Sequence, residues 1–268
     1  YIAISNQKGG VGKTTSAVNL AGAFADSGLN VLVIDMDPQG NASTALGIPH
    51  GSDDITVYDV IEGRSSIQDA VKACPEFDTL DVVPSSIDLS GAELEIVDMD
   101  NRTGLLKQQL DNYINNSDKH YDYVIIDCAP SLGLLVLNAL CAVHEVLIPI
   151  QAEYYALEGL GQLLNTIQLV QNSLNHNLVI STMLVTMFDK RTLLSREVYG
   201  EIKEHYKDIV LDATIPRSVR ISEAPSFNQT IITYDPKGNG SIAYREAALE
   251  INNRAEGIIA RLTEKGNK

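Results

Sequence analysis

Near the start of the chain, Lys8-Gly9-Gly10-Val11-Gly12-Lys13-Thr14-Thr15 has the residue types and spacing of a phosphate cradle. The general pattern is Gly, four residues, then Gly-Lys followed by Ser or Thr. Here Gln7 takes the first glycine position, and Gly12, Lys13 and Thr14 satisfy the rest. The chemistry survives that change. Gly9, Gly10 and Gly12 let the backbone turn tightly enough to aim N–H groups at phosphate oxygens. A helix opening near Thr14 adds its positive end to the same spot. Lys13 is suited to reach terminal phosphates, and the Thr14 hydroxyl to ligate Mg²⁺. A glycine-rich turn that binds nothing is the bland alternative; the strand before it and the helix after it speak against that.

Two acidic segments could complete such a site. The apolar run Tyr123-Val124-Ile125-Ile126 ends in Asp127, a carboxylate placed to hold the Mg²⁺ shell, and Cys128-Ala129-Pro130-Ser131-Leu132-Gly133 follows as a loop able to sense a γ-phosphate. Asp35-Met36-Asp37-Pro38-Gln39-Gly40-Asn41 places two further carboxylates just past another strand. Such acids commonly cap a turn. Beside a phosphate loop the functional reading gains weight, because transfer of a phosphoryl group to water needs a residue that orients or deprotonates the nucleophile. Asp37 is the candidate for that role, and it joins Thr14 and Asp127 as a candidate metal ligand.

These residues must be positioned by the elements around them. Short β-branched runs at 1–5, 30–35, 80–83, 123–127, 145–150, 179–186, 209–215 and 230–233 alternate with helical patterns at 14–27, 89–99, 104–116, 156–173, 193–206 and 241–262. That alternation predicts an α/β fold, a mostly parallel twisted sheet of about 7–8 strands with helices on both faces. Runs 30–35 and 123–127 are nearly continuous in apolar residues, as central strands are. They end in acids at the carboxyl edge, where ligands bind in open α/β sheets. Residues 49–66 are polar and rich in Gly, Asp and Ser, and read as a surface excursion. One domain spanning 1–268 is expected.

Composition sets limits. The 268 residues carry 20 Lys and Arg against 35 Asp and Glu, a net charge of −15, which argues against a constitutive nucleic-acid binder. Hydrophobic residues at 44% are ordinary globular usage, not disorder. Cys74, Cys128 and Cys141 show no CxxC spacing and read as buried thiols in a reducing compartment. The apolar stretch 132–150 is broken by Asn138, His144 and Glu145 and splits into a helix and a strand, so no membrane span is expected. No secretory signal is seen. The chain begins at Tyr1, already in a strand-like run, which leaves room for native residues upstream.

The loop resembles the deviant Walker A motif and, with the 35–41 segment, the ParA/Soj chromosome- and plasmid-partitioning ATPases, which are P-loop NTPases of the MinD/ParA superfamily. The resemblance continues through Gln151-Ala152-Glu153-Tyr154-Tyr155-Ala156-Leu157-Glu158-Gly159-Leu160, Ile215-Pro216-Arg217, Ser222-Glu223-Ala224-Pro225-Ser226-Phe227 and Tyr234-Asp235-Pro236. It implies ATP and Mg²⁺ as cofactors, with ATP binding driving a nucleotide-sandwich homodimer that binds double-stranded DNA without sequence preference. It further implies slow hydrolysis stimulated by the basic N-terminal peptide of a ParB/Spo0J-type partner, in a cytoplasmic, nucleoid-associated setting. Lys8 matches the signature lysine that contacts phosphate on the partner's ATP, Asp37 the acid needed for hydrolysis, and Asp127 the Walker B acid. Pro216 and Arg217 fall near the adenine in relatives. With Lys13, Lys8 and Asp37 are the catalytic candidates; residues 8–15 with Pro216 and Arg217 are the nucleotide-binding candidates. No Asn-Lys-x-Asp guanine reader follows strand 179–186, so ATP is favoured over GTP. Asn228-Gln229 replaces the Gly-Lys that relatives often carry, removing one basic contact. Ala152 stands where many have cysteine, a change with no chemistry attached. No helix-turn-helix region is seen before the loop.

The charge is unevenly spread. Residues 190–268 carry 13 Lys and Arg against 11 Asp and Glu, net +2, leaving 7 against 24, net −17, for residues 1–189. In relatives, arginines in the segments of Lys190, Arg191, Arg196, Arg217 and Arg220 build a basic surface on the dimer. Alternating helix charge accounts for them in a monomer; in a dimer two weak patches act together. The acidic remainder suits a basic partner peptide or plain solubility. Competing functions are a MinD-like membrane-associated positioning ATPase, an iron–sulfur enzyme akin to the nitrogenase iron protein, and a non-hydrolysing binding module. Against the first, Ile258, Ile259 and Leu262 lack a bulky aromatic and are interspersed with Glu256 and Glu264. Against the second, Cys128 and Cys141 read as core positions. Asp37 argues against the third.

Overall fold

The computed structural model describes residues 1–153 and 158–266. Tyr154, Tyr155, Ala156 and Leu157 of the resemblance segment lie outside the described residues. So do the side chains of Glu256, Ile258, Ile259, Leu262 and Glu264.

In chain order the first half gives β1 (Ile2–Ile4), α1 (Lys13–Asp26), β2 (Val31–Met36), α2 (Asn41–Ala45), α3 (Val57–Ile61), α4 (Ile67–Ala70), β3 (Lys72–Ala73), β4 (Leu80–Val83), α5 (Leu89–Ile96) and α6 (Leu105–Asn116). The second half gives β5 (Tyr123–Cys128), α7 (Leu134–Ala142), β6 (Glu145–Gln151), α8 (Glu158–Ser173), β7 (Val179–Phe188), α9 (Leu193–His205), β8 (Val210–Pro216), α10 (Val219–Glu223), a 3₁₀ turn (Ala224–Phe227), α11 (Ile231–Tyr234) and α12 (Asn239–Gly266). The strands form one eight-stranded sheet in the order β3-β4-β2-β5-β1-β6-β7-β8. Every pairing is parallel except β3 with β4.

Period-two alternation along the central strands feeds two cores. In β2 and β5, Leu32, Ile34, Met36, Val124, Ile126 and Cys128 face the layer that includes α3, α5, α6, α7 and α8. Val31, Val33, Tyr123 and Ile125 face α1, α2, α11 and α12. Phe24 of α1 stacks on Tyr123 at 4.0 Å between ring centroids. Alternation then puts Asp35 and Asp127 on the α1 side, and the β2–β5 register makes them direct Cα partners. The sheet order reverses at β1, so the loop after β1 opens where such sheets place their ligands. Cys74, Cys128 and Cys141 are free and buried.

Two expectations fail. Run 230–233 is not a strand: it forms the short helix α11. Its first N–H groups are taken by side chains, Thr230 N donating to the Glu76 carboxylate at 3.0 Å and Ile231 N to Asn19 Oδ1 at 2.7 Å. These tertiary partners outweigh the β-branched composition. The eighth strand is instead Lys72–Ala73, antiparallel at the sheet edge. Nor is 49–66 merely surface, since α3 buries Val57, Val60 and Ile61, an i, i+3, i+4 stripe hidden in a polar stretch. Asn228 has φ 54°, the left-handed position closing the 3₁₀ turn, which Asn and Gly adopt most readily.

Candidate functional site

The loop between β1 and α1 is anchored at both its ends to the neighbouring strands β6 and β7. Asn6 Nδ2 donates to the Pro149 carbonyl in β6 at 2.8 Å, and its Oδ1 accepts from Lys8 N at 3.0 Å. At the other end Thr186 Oγ1, on β7, donates to the Val11 carbonyl at 2.8 Å. Gly10 (φ 73°) and Gly12 (φ 88°) adopt left-handed backbone that side chains resist. Lys13 opens α1 and is 7% exposed; its Nζ donates to the Lys8 carbonyl at 3.1 Å, across the loop. Burial lowers the Lys13 pKa, while Asp127, Cys128 and Asp37 oppose that shift. Lys8 Nζ lies 3.6 Å from Glu153 Oε2, and Gln7 Nε2 donates to Gln162 Oε1 at 2.7 Å.

The three acids have different settings. Asp127 is fully buried, and neither carboxylate oxygen has a hydrogen-bond partner. Burial holds it well above the usual carboxylate range, and the Asp35 charge beside it pushes the same way. The nearby Thr14 hydroxyl and Lys13 ammonium group pull it back down. Asp35 is committed to the fold: its Oδ2 accepts from Ser43 N at 2.8 Å and Ser43 Oγ at 2.7 Å, and its Oδ1 from Asp37 N at 3.1 Å. Burial nonetheless pushes its pKa up to about 6. Asp37 Oδ1 accepts from Gln39 N at 3.0 Å, so Asp37 does cap its turn, and its position beside Lys13 is equally real. An unpartnered buried carboxylate is costly unless a cation completes it. Among the described residues no cluster of three or more His, Cys, Asp and Glu side chains could hold a metal by itself. Mg²⁺ takes one or two protein oxygens and relies on phosphates and water for the rest, so the unpartnered Asp127 carboxylate with the nearby Thr14 hydroxyl is a donor set that fits it.

Gly12 and Thr15 line a cavity with Thr186, Met187, Pro216, Arg217 and Tyr244, so Pro216 and Arg217 do come to the mouth of the loop. Met187 holds φ 50°, strained for a non-glycine residue and set in the cavity wall. A separate groove is lined by Lys190, Arg191 and Arg217 together with Asp189 and Glu246. Arg196 and Arg220 line neither. Arg191 forms a two-pronged pair with Asp189 (2.9 and 2.8 Å), and Arg220 lies 3.7 Å from Glu223 and over the Tyr234 ring. Lys190, Arg196 and Arg217 make no ion pair among the described residues, and all five are exposed. Asn6, Thr186, Ser43 and Glu153 were not singled out for the site from sequence. For Asn6, Thr186 and Glu153 the signal available was position at or just past a strand's carboxyl end; Ser43, inside α2, gave none.

Fold and loop together define the class of this protein, a P-loop NTPase. A family profile described as an AAA domain matches residues 1–180. The chain is 50% identical over 250 residues to the sporulation initiation inhibitor protein Soj of Bacillus subtilis, covering 93% of this chain and 97% of that one. It is 47% identical over 253 residues to the chromosome partitioning protein ParA of Caulobacter vibrioides, covering 94% of each. It belongs to the Soj/ParA family of partitioning ATPases. Among solved structures, cobyrinic acid a,c-diamide synthase of Mycobacterium smegmatis with bound ATP analog and magnesium superposes with a TM-score of 0.82 at 35% identity, covering 95% of each chain. The cell division ATPase MinD of Pyrococcus furiosus follows at 0.74 and 26%, covering 94% of this chain and 98% of that one.

Proposed function

We propose that this chain is an ATP-driven DNA-partitioning switch that hydrolyses ATP to ADP and phosphate slowly, under the control of a partner protein. The observation that carries the reading is Asp127. It is a buried carboxylate with no partner, in register with Asp35 and next to Lys13 and Thr14. Asp127 and Thr14 are the residues that would hold Mg²⁺, with Asp37 at the edge of the same shell. The metal, when bound, neutralises charge building on the β- and γ-phosphate oxygens.

The chain's own residues do the rest. Backbone N–H groups of residues 9–14 face the phosphates, and Lys13 exchanges its bond to the Lys8 carbonyl for the terminal phosphates. Asp37 orients the attacking water and accepts its proton at a carboxylate oxygen. Pro216 and Arg217 bound the space for the base. Lys8, held at the rim by Glu153, crosses to the ATP of a second copy and completes a sandwich dimer. In that dimer Lys190, Arg191, Arg196, Arg217 and Arg220 are brought together twice over, enough to bind DNA that one acidic protomer repels. The net −17 of residues 1–189 attracts the basic N-terminal peptide of a ParB-type partner. Work on the nucleoid follows from DNA binding. Among the described residues no helix is long and apolar enough to cross a membrane.

The test is a DNA-binding titration with and without ATP, repeated across salt concentrations. ATP-bound protein should bind DNA with an affinity that falls steeply with salt. Equal DNA retention at low salt by the nucleotide-free protein would overturn the reading.

A further inference from the structure

Glu93, on α5, makes a contact that the site described above does not account for. Its Oε1 accepts a hydrogen bond from Leu135 N at 3.1 Å, capping the first turn of α7. α7 has no side-chain cap of its own, because the residue before it is Gly133. Gly133 sits at φ −79° and ψ −170°, extended backbone open to any residue, so its glycine is not required for conformation. The Glu93 carboxylate packs against it: a Cβ on Gly133 would lie 2.7 Å from Glu93 Cδ, so the carboxylate would have to shift. Glu93 forms no ion pair among the described residues, and its neighbour Leu94 is 82% exposed. Its carboxylate is therefore directed at one backbone N–H group.

That group ends the segment that begins at Asp127. Residues 128–133 leave β5 with Pro130 and Ser131 exposed and enter α7 where Glu93 holds it. The loop is fixed at one end by the sheet and at the other by a side chain of α5. We propose that Glu93 is a positioning residue for hydrolysis: by capping α7 it sets where the 128–133 loop stands relative to the terminal phosphate of ATP. This rests on the nucleotide site proposed above and adds to it a residue of α5, an element distant in sequence from the phosphate loop. A small misplacement of groups around a reacting centre costs rate while leaving binding largely intact.

The experiment is steady-state ATP hydrolysis by the full chain with Mg²⁺, together with affinity for a non-hydrolysable ATP analogue. Glu93→Ala should lower kcat by about fivefold or more, with KM and analogue affinity within about twofold of the unmodified chain. Glu93→Gln keeps an acceptor oxygen and should restore kcat to within about twofold. Gly133→Ala, which pushes the carboxylate off Leu135 N, should lower kcat as Glu93→Ala does, and the double variant should be no slower than either single one. If Glu93→Ala does not fold, Glu93→Asp, one methylene shorter, supplies the comparison and should lower kcat with KM unchanged. The proposal is overturned if kcat survives in Glu93→Ala, if Gln is as slow as Ala, or if the effects at Glu93 and Gly133 multiply. If the unmodified chain does not hydrolyse ATP at all, the site reading falls and this proposal with it.

Discussion

Lys13 donates to the carbonyl of Lys8, five residues back, instead of reaching solvent. On the proposed function, the terminal phosphates of ATP take over this buried ammonium group from the Lys8 carbonyl. Lys13→Gln removes that charge from a site otherwise rich in acids. ATP affinity should fall by about a hundredfold, the worth of two charge-assisted hydrogen bonds, as read by titration calorimetry. Asp37→Ala should do the reverse: ATP-dependent dimerisation persists in light scattering while turnover drops by about a hundredfold or more. At this scale the phosphate loop was legible, because its residues are adjacent in sequence and each has one strong chemical reason to be there. Asn6 and Thr186 were not, since they act through partners 143 and 175 positions away. Asp35 is the instructive middle case. Its type and place at a strand end were readable, but its commitment to Ser43 of α2 depends on a fold-back that no spacing announces.

Elements buried on both faces were legible to within a residue or two, as β2 and β5 were, because a continuous apolar run of strand length between turn residues fits little besides a central strand. Short elements were not. α11 has four residues, and its helical form depends on Glu76 and Asn19 rather than on its own β-branched composition. The packing that fixes α11 is close. A Cβ on Gly22 of α1 would meet Thr230 Cγ2 at 2.9 Å, so α1 approaches the start of α11 only because residue 22 has no side chain. Gly22→Ala should therefore destabilise the protein by about 1–3 kcal/mol in urea unfolding despite the better helix propensity of alanine. Adding Thr230→Ser, which removes the methyl group and keeps the hydroxyl on Glu76, should recover much of the loss. Full stability in Gly22→Ala would show that α11 is free to move away.

For the whole molecule, a net charge of −15 and a DNA-binding function are compatible only if the favourable charges are gathered and the unfavourable ones kept distant. The acid excess belongs to residues 1–189, while Lys190, Arg191 and Arg217 share one groove with Asp189 and Glu246. Because Asp189 already engages Arg191, one protomer offers less free positive charge than its sequence suggests. On the proposed function, nucleotide and DNA are then linked thermodynamically, and linkage is reciprocal. If an ATP analogue tightens DNA binding by a given factor, saturating DNA must tighten the analogue by the same factor. Fluorescent-analogue titrations with and without DNA check this; an analogue affinity indifferent to DNA would place the two on uncoupled states.

Arg217 lies on the wall of the cavity beside Gly12 and on the wall of the basic groove. A residue shared in this way is constrained as evolution proceeds. On the proposed function, a lineage could not retune Arg217 for the base without altering its hold on the backbone of DNA, and the reverse is equally true. Arg196, which lines neither surface, carries no such double obligation. Drift in the strength of DNA attachment should therefore accumulate at positions like Arg196, while Arg217 stays fixed for as long as both ligands matter.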